Sequence, residues 1–239
     1  MPFRNSVTIV ASPRPRVGKT LLARLLTGFH GAEGRDVVAF DLNAGKGTLA
    51  AFAPDRTSVS DVATTAGQMA LFDRLIVADD VAKVVDLGHA SFEAFFDLAA
   101  QLDFAEEAHR RGVAPAILFI GTPDATSVEA YQRLRHRFAI ATLTPVHNEL
   151  LGAAPYPSKY AASGSGAALV RIPVLAAALR KYVETPPFAL SDDGIAAARH
   201  IPHDARDELQ RWLRRVYLDF RDLDLRILMA DLQSSLRQL

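Results

Sequence analysis

A chain of 239 residues with 27 Lys+Arg against 27 Asp+Glu has no net charge, so no overall basic field steers it to nucleic acid. Apolar residues make up 49% and charged residues 23%, enough to bury a real core, and the lack of cysteine excludes disulfides and thiolate metal sites. No charged-then-apolar leader pattern opens the chain and no apolar run nears the ~20 residues of a membrane span, so a cytoplasmic protein without a membrane partner is expected.

In chain order, apolar and β-branched runs at 6–11 (SVTIVA), 37–42 (VVAFDL), 82–87 (AKVVDL), 115–121 (PAILFIG) and 138–144 (FAIATLT) predict strands buried on both faces, with a further one at 169–175. Helical patterns near 19–30, 60–78, 90–111 and 125–137 lie between them. Strand and helix alternating in this way predict an α/β fold with a mainly parallel sheet flanked by helices and right-handed crossovers. The stretch 152–168, rich in Gly, Pro, Ala and Ser, reads as an irregular loop. Beyond Pro202 the pattern is helical, and Leu209, Leu213, Val216, Phe220, Leu223 and Ile227 follow a four-three spacing. Such a face fits a helix packed on its own domain, a seam with a partner, or a helix lying on a membrane. The expected division is an α/β domain over 1–184 and a C-terminal helical extension over 185–239 packed on it.

The segment TIVASPRPRVGKTLLARLL (8–26) carries the chemistry. An apolar strand runs through a loop into Gly18, Lys19 and Thr20, which open a leucine-rich helix, as in the phosphate-loop pattern G-x-x-x-x-G-K-[ST]. Such a loop aims successive backbone N–H groups and a helix N-terminus at phosphate oxygens. Pro13 holds the first glycine position, and Pro13 and Pro15 have no N–H to offer. The cradling donors fall to Arg16, Val17, Gly18, Lys19 and Thr20, with Leu21 next in the helix. Lys19 is expected to reach the β/γ-phosphates and Thr20 to hold Mg²⁺, so ATP and Mg²⁺ are the expected cofactors.

Through this loop the chain resembles the ParA/MinD-type (deviant Walker A, SIMIBI class) P-loop ATPases, over roughly residues 5–180. Their loop reads K-G-G-x-G-K-[ST], and 14-RPRVGKT-20 matches it with Arg14 at the signature lysine. The resemblance implies a homodimer that sandwiches ATP, with Arg14 reaching across to the partner's nucleotide. The run 37–52 is similar to the family's D-x-D-P-x-G first switch, which assigns Asp41 and Asn43 to orienting the attacking water. An amide at 43 cannot accept a proton as a carboxylate does, so hydrolysis is expected to be slow or to need a protein activator. The run 82–96 looks like the Walker B strand, which puts Asp86 on Mg²⁺ beside Thr20 and Gly88 near the γ-phosphate with His89 following. The run 117–134 looks like the strand and T-P-x-x-x-S-V helix that wall the site. Asn148 and Pro173 fall where the family reads the base, implying a hydrogen bond to adenine and packing on its ring.

The activity implied is a weak ATPase that acts as a dimerisation switch and positions a cargo such as DNA, division machinery or a protein assembly. Arg110, Arg111 and the run 133–137 (RLRHR) are the basic helix surfaces that nonspecific DNA binding would use. Two other readings stay open: a nucleotide-binding scaffold that scarcely hydrolyses, and a metabolic ATP-dependent ligase of the same branch. His200 and His203 flank Pro202 and read as a helix entry.

Overall fold

Seven strands, β1 (Ser6–Ala11), β2 (Val37–Asp41), β3 (Thr57–Val59), β4 (Ala82–Asp86), β5 (Ala114–Ile120), β6 (Thr142–Asn148) and β7 (Val170–Ile172), form one sheet in the order β3-β2-β4-β1-β5-β6-β7. Every pairing between them is parallel. The structure is a computed structural model that describes residues 5–43, 48–152, 159–163 and 168–236, with side chains to residue 229.

Nine helices cover the sheet among the described residues: α1 (Lys19–Ala32), α2 (Thr48–Phe52), α3 (Thr65–Leu75), α4 (Phe92–Gln101), α5 (Phe104–Arg110), α6 (Ala125–Arg137), α7 (Ala177–Val183), α8 (Asp192–Ala197) and α9 (His203–Leu236). Because successive strand residues point to opposite faces, each strand feeds two apolar layers. On β5, Ala116, Leu118 and Ile120 join the layer under α1 and α9, whereas Ile117 and Phe119 join the layer under α3 to α6. This is why the strands read as continuous apolar runs, and the expected α/β fold with helices on both faces is what is found.

Several boundaries differ from expectation. The fifth predicted strand, 138–144, is displaced to Thr142–Asn148. Phe138 caps α6 and, with Ala141, is buried as a corner, while Ile140 is exposed, so these apolar residues belong to a turn. The helix expected over 90–111 is broken at Asp103, which takes a positive φ of 47° between α4 and α5. That expected over 60–78 is confined to Thr65–Leu75, whose first turn is capped by Thr64 accepting from the N–H of Gly67 at 3.1 Å. The short edge strand β3 and helices α2, α7 and α8 were not expected.

The apolar face of α9 is used within its own chain. Leu209, Leu213, Val216, Phe220 and Leu223 are all buried in the layer that contains α1 and β7, and Ile227 packs against it partly buried. Polar contacts fix the helix there: Trp212 Nε1 donates to the Pro173 carbonyl at 2.9 Å, and Arg35 pairs with Asp224 at 2.8 Å. None of the described helices is long and apolar enough to cross a membrane. Part of the irregular stretch 152–168 lies outside the described residues; within it, Tyr160 is buried and Ser163 bridges Leu143.

Candidate functional site

The C-terminal ends of β1, β2 and β4 meet at one edge of the sheet, where the chain reverses its direction of travel across it: β1 lies between β4 and β5. Open parallel sheets bind ligands at such a point. From Ala11 the chain leaves β1 through Ser12, which is buried, and reaches α1 over the loop 12–18. Gly18 takes the N-cap position with φ 100°, a left-handed conformation natural only to glycine, and a β-carbon there would lie 2.7 Å from Nδ2 of Asn148. Arg16 also has a positive φ, 58°, although it is not glycine.

The first bond of α1 runs from the N–H of Leu22 to the Gly18 carbonyl at 2.9 Å. The turn at Pro15 and Arg16 closes from the Val17 N–H back to Arg14, and among the described residues the N–H groups of Gly18, Lys19, Thr20 and Leu21 have no hydrogen-bond partner. These are the orphan donors of a helix start, and they sit at the positive end of a 14-residue helix. Neither proline of the loop interrupts the run. Lys19 donates from Nζ to the Arg14 carbonyl at 2.7 Å, and burial draws its ammonium below the usual lysine range against the pull of Asp86. Leu21 packs its side chain on the core.

Beside the loop stands a carboxylate pair set by strand register. Asp41 and Asp86 are direct neighbours across β2 and β4, and both are fully buried. Their situations differ. Asp41 Oδ1 accepts from Asn43 N and Nδ2 (3.1 and 2.8 Å), and Oδ2 accepts from the N–H groups of Leu49 and Ala50 (2.7 and 3.1 Å). Asp41 thus caps α2 and has little capacity left. Asp86 Oδ2 accepts from Thr20 Oγ1 at 2.7 Å and from Asn43 Nδ2 at 3.0 Å, but its Oδ1 has no partner. Burial pushes its carboxyl up to about 6; Asp41 adds to this, while the Thr20 and Asn43 hydrogen bonds and Lys19 oppose it.

A buried carboxylate oxygen without a partner, next to a threonine hydroxyl at a helix start, fits a hard divalent cation. Among the described residues no group of three or more His, Cys, Asp or Glu side chains gathers to hold a metal, so a cation here would take its other oxygens from water and phosphate.

The remaining predicted residues are placed as follows. Arg14 does not project freely from the loop: its guanidinium pairs with Asp124, with Nε 3.0 Å from Oδ1. Asp124 in turn caps α6 through the N–H of Ser127 at 3.1 Å, and Arg14 holds its carboxyl well below the usual range. Asn148 is buried behind the loop, donating to the Val17 carbonyl at 2.9 Å and accepting from the N–H of Leu150 at 3.2 Å. In this position it braces the loop. Pro173 offers its carbonyl to Trp212, and Gly88 is buried at the end of β4 while His89 is exposed. The basic helix faces are largely matched by acids: Arg110 and Arg111 pair with Glu107, Arg133 with Glu93 and Arg137 with Asp97.

No family model matches the chain, and no curated protein does.

Sequence reasoning missed the support behind Arg14. Asp124, Ser127, the Thr122 carbonyl and Tyr160 form one network, with the Tyr160 hydroxyl 2.9 Å from Ser127 Oγ. The Asp124-x-x-Ser127 spacing is a helix-start signal, but its link to residue 14 spans 110 positions and leaves no local trace.

Proposed function

We propose that the chain is an ATP-binding, Mg²⁺-dependent switch of ParA/MinD-like type, a weak ATPase that dimerises with ATP and positions a cargo. The observation that carries this reading is the run of unpartnered N–H groups at the start of α1, Gly18 to Leu21, beside the Thr20–Asp86 hydrogen bond. That combination suits a polyphosphate better than a single charge, because donors, a lysine and a cation seat are all present together.

The chain's own groups divide the work. Backbone donors of the loop hold the phosphates, and Lys19 exchanges the Arg14 carbonyl for a phosphate oxygen. Thr20 and Asp86 would hold the cation, which when bound neutralises charge on the leaving phosphate. Asn43 fixes both carboxylates by donating to them and keeps Oδ1 to orient a water. Asp41, saturated by four hydrogen bonds, is a poor general base, which accounts for slow turnover. Arg14 would reach a partner's nucleotide only after leaving Asp124. The partners proposed are a second copy of the chain, a protein activator and, as one form of cargo, DNA.

The same saturated Asp41 favours a second reading, a scaffold that binds nucleotide and scarcely hydrolyses it. ATP binding, turnover and oligomeric mass measured on one sample with Mg²⁺ separate the two. The switch reading expects ATP to drive a dimer with slow hydrolysis, both lost in Lys19→Ala, and faster turnover in Asn43→Asp. Binding without hydrolysis, even with candidate activators, leaves the scaffold. No binding at all overturns both.

A further inference from the structure

Away from the phosphate loop, the second half of α1 forms the floor of a groove of about 840 Å³, walled by residues 52–56 on one side and 187–200 on the other. Its floor holds Arg24, which is only 6% exposed. The guanidinium stacks over the Phe52 ring with its carbon 3.6 Å from the ring centroid, and Nη2 donates to the Phe188 carbonyl at 3.0 Å. Its Nε has no partner, and among the described residues no carboxylate pairs with it. Burial alone draws this arginine down to about 9. An arginine held out of water without a counter-ion is an expensive arrangement for stability alone, and it is relieved by an incoming anion.

The groove is furnished for such an anion. Arg56 lies against Gly31, where a β-carbon would come within 2.7 Å of its Nη1, so glycine leaves the room in which a second guanidinium rests. Phe52, Pro54 and Pro187 supply flat apolar surface. The exposed Asp55 and Asp193, and Asp192 with its buried, unpartnered Oδ1, oppose a highly charged ligand and set this groove apart from the polyphosphate seat.

We propose that this groove binds a small organic acid, one carboxylate or monophosphate on a flat apolar body, with its anionic group on Arg24 and Arg56. The proposal does not rest on the function proposed for the phosphate loop.

The test is a ¹H–¹⁵N NMR titration of the full chain carrying Lys19→Ala, which weakens the competing loop, with benzoate, phenyl phosphate, neutral benzamide and inorganic phosphate as probes. The amides of Gly31 on the floor and Gly194 on one wall report on the groove, and Gly18 reports on the loop. We expect benzoate or phenyl phosphate to move Gly31 and Gly194 saturably, the tighter of the two identifying the preferred headgroup, while benzamide and inorganic phosphate leave them in place. Arg56→Ala, at an exposed side chain, should weaken that binding about tenfold, and Arg24→Met should abolish it. If Arg24→Met does not fold, Arg56→Ala carries the test. Unsaturated shifts, equal shifts with benzamide or inorganic phosphate, or undiminished binding in Arg56→Ala would overturn the proposal.

Discussion

At the residue scale, the loop is held by contacts that a motif does not reveal. Asn148 grips the Val17 carbonyl from behind, so Asn148→Ala should destabilise the fold by about 1–3 kcal/mol in urea unfolding, since a buried acceptor loses its donor. The same variant should weaken ATP and GTP binding by equal factors. A change in the ATP/GTP ratio would instead return Asn148 to base reading. Arg16 occupies a left-handed conformation that disfavours a side chain, so Arg16→Gly should be tolerated and stabilise by up to about 1 kcal/mol. Asp86 is buried with Oδ1 unpartnered, which costs stability when the carboxylate is ionised. Its folded pKa of about 6 lies above the ordinary 3.8, so stability falls as pH rises from about 4 to 6 and the penalty is fully present above that. Asp86→Asn should therefore stabilise the ligand-free chain at pH 7 by about 2–3 kcal/mol while abolishing any stabilisation by Mg²⁺ with ATP.

At the element scale, most of the sheet was legible because strands covered on both faces read as unbroken apolar runs, as 6–11 and 82–87 do. Where an apolar run served a corner, as Phe138 to Ala141 does, the register slipped by four residues and with it the placement of Asn148. Lys19, Thr20 and Asp86 were legible because their chemistry is local to a strand end and a helix start. The Arg14–Asp124 pair and the brace of Asn148 on Val17 join residues more than a hundred positions apart, and no periodicity records them. The four-three face of α9 was readable, but only the packing decides among its three meanings. Since that face is buried in the chain's own core, Leu213→Ala should cost about 2–5 kcal/mol and Phe220→Ala about 3–5 kcal/mol, measured by denaturant midpoint.

At the scale of the whole molecule, acid sensitivity is built into the layer beneath α9. His30 is buried with neither ring nitrogen partnered, and burial, aided by Arg35, pushes it down to about 3. The unfolded chain takes up this proton near pH 6.5, so stability is lost as pH falls from about 6.5 toward 3, at up to about 1.4 kcal/mol per pH unit. Because Asp86 contributes the opposite trend over part of this range, the His30 loss is read by difference: urea unfolding at pH 7 and pH 5 should show wild type losing more stability on acidification than His30→Phe does.

The position of α9 also bears on how the chain is made. Strand β1 sits in the middle of the sheet, and α9, which covers one of its layers, comes far later in the chain and so emerges well after it. At about 5–20 residues per second the nascent chain displays the α1 face for seconds before residues 209–223 arrive to cover it. A nascent chain paused between α8 and α9 would therefore carry an uncovered apolar surface and be a ready client for chaperones.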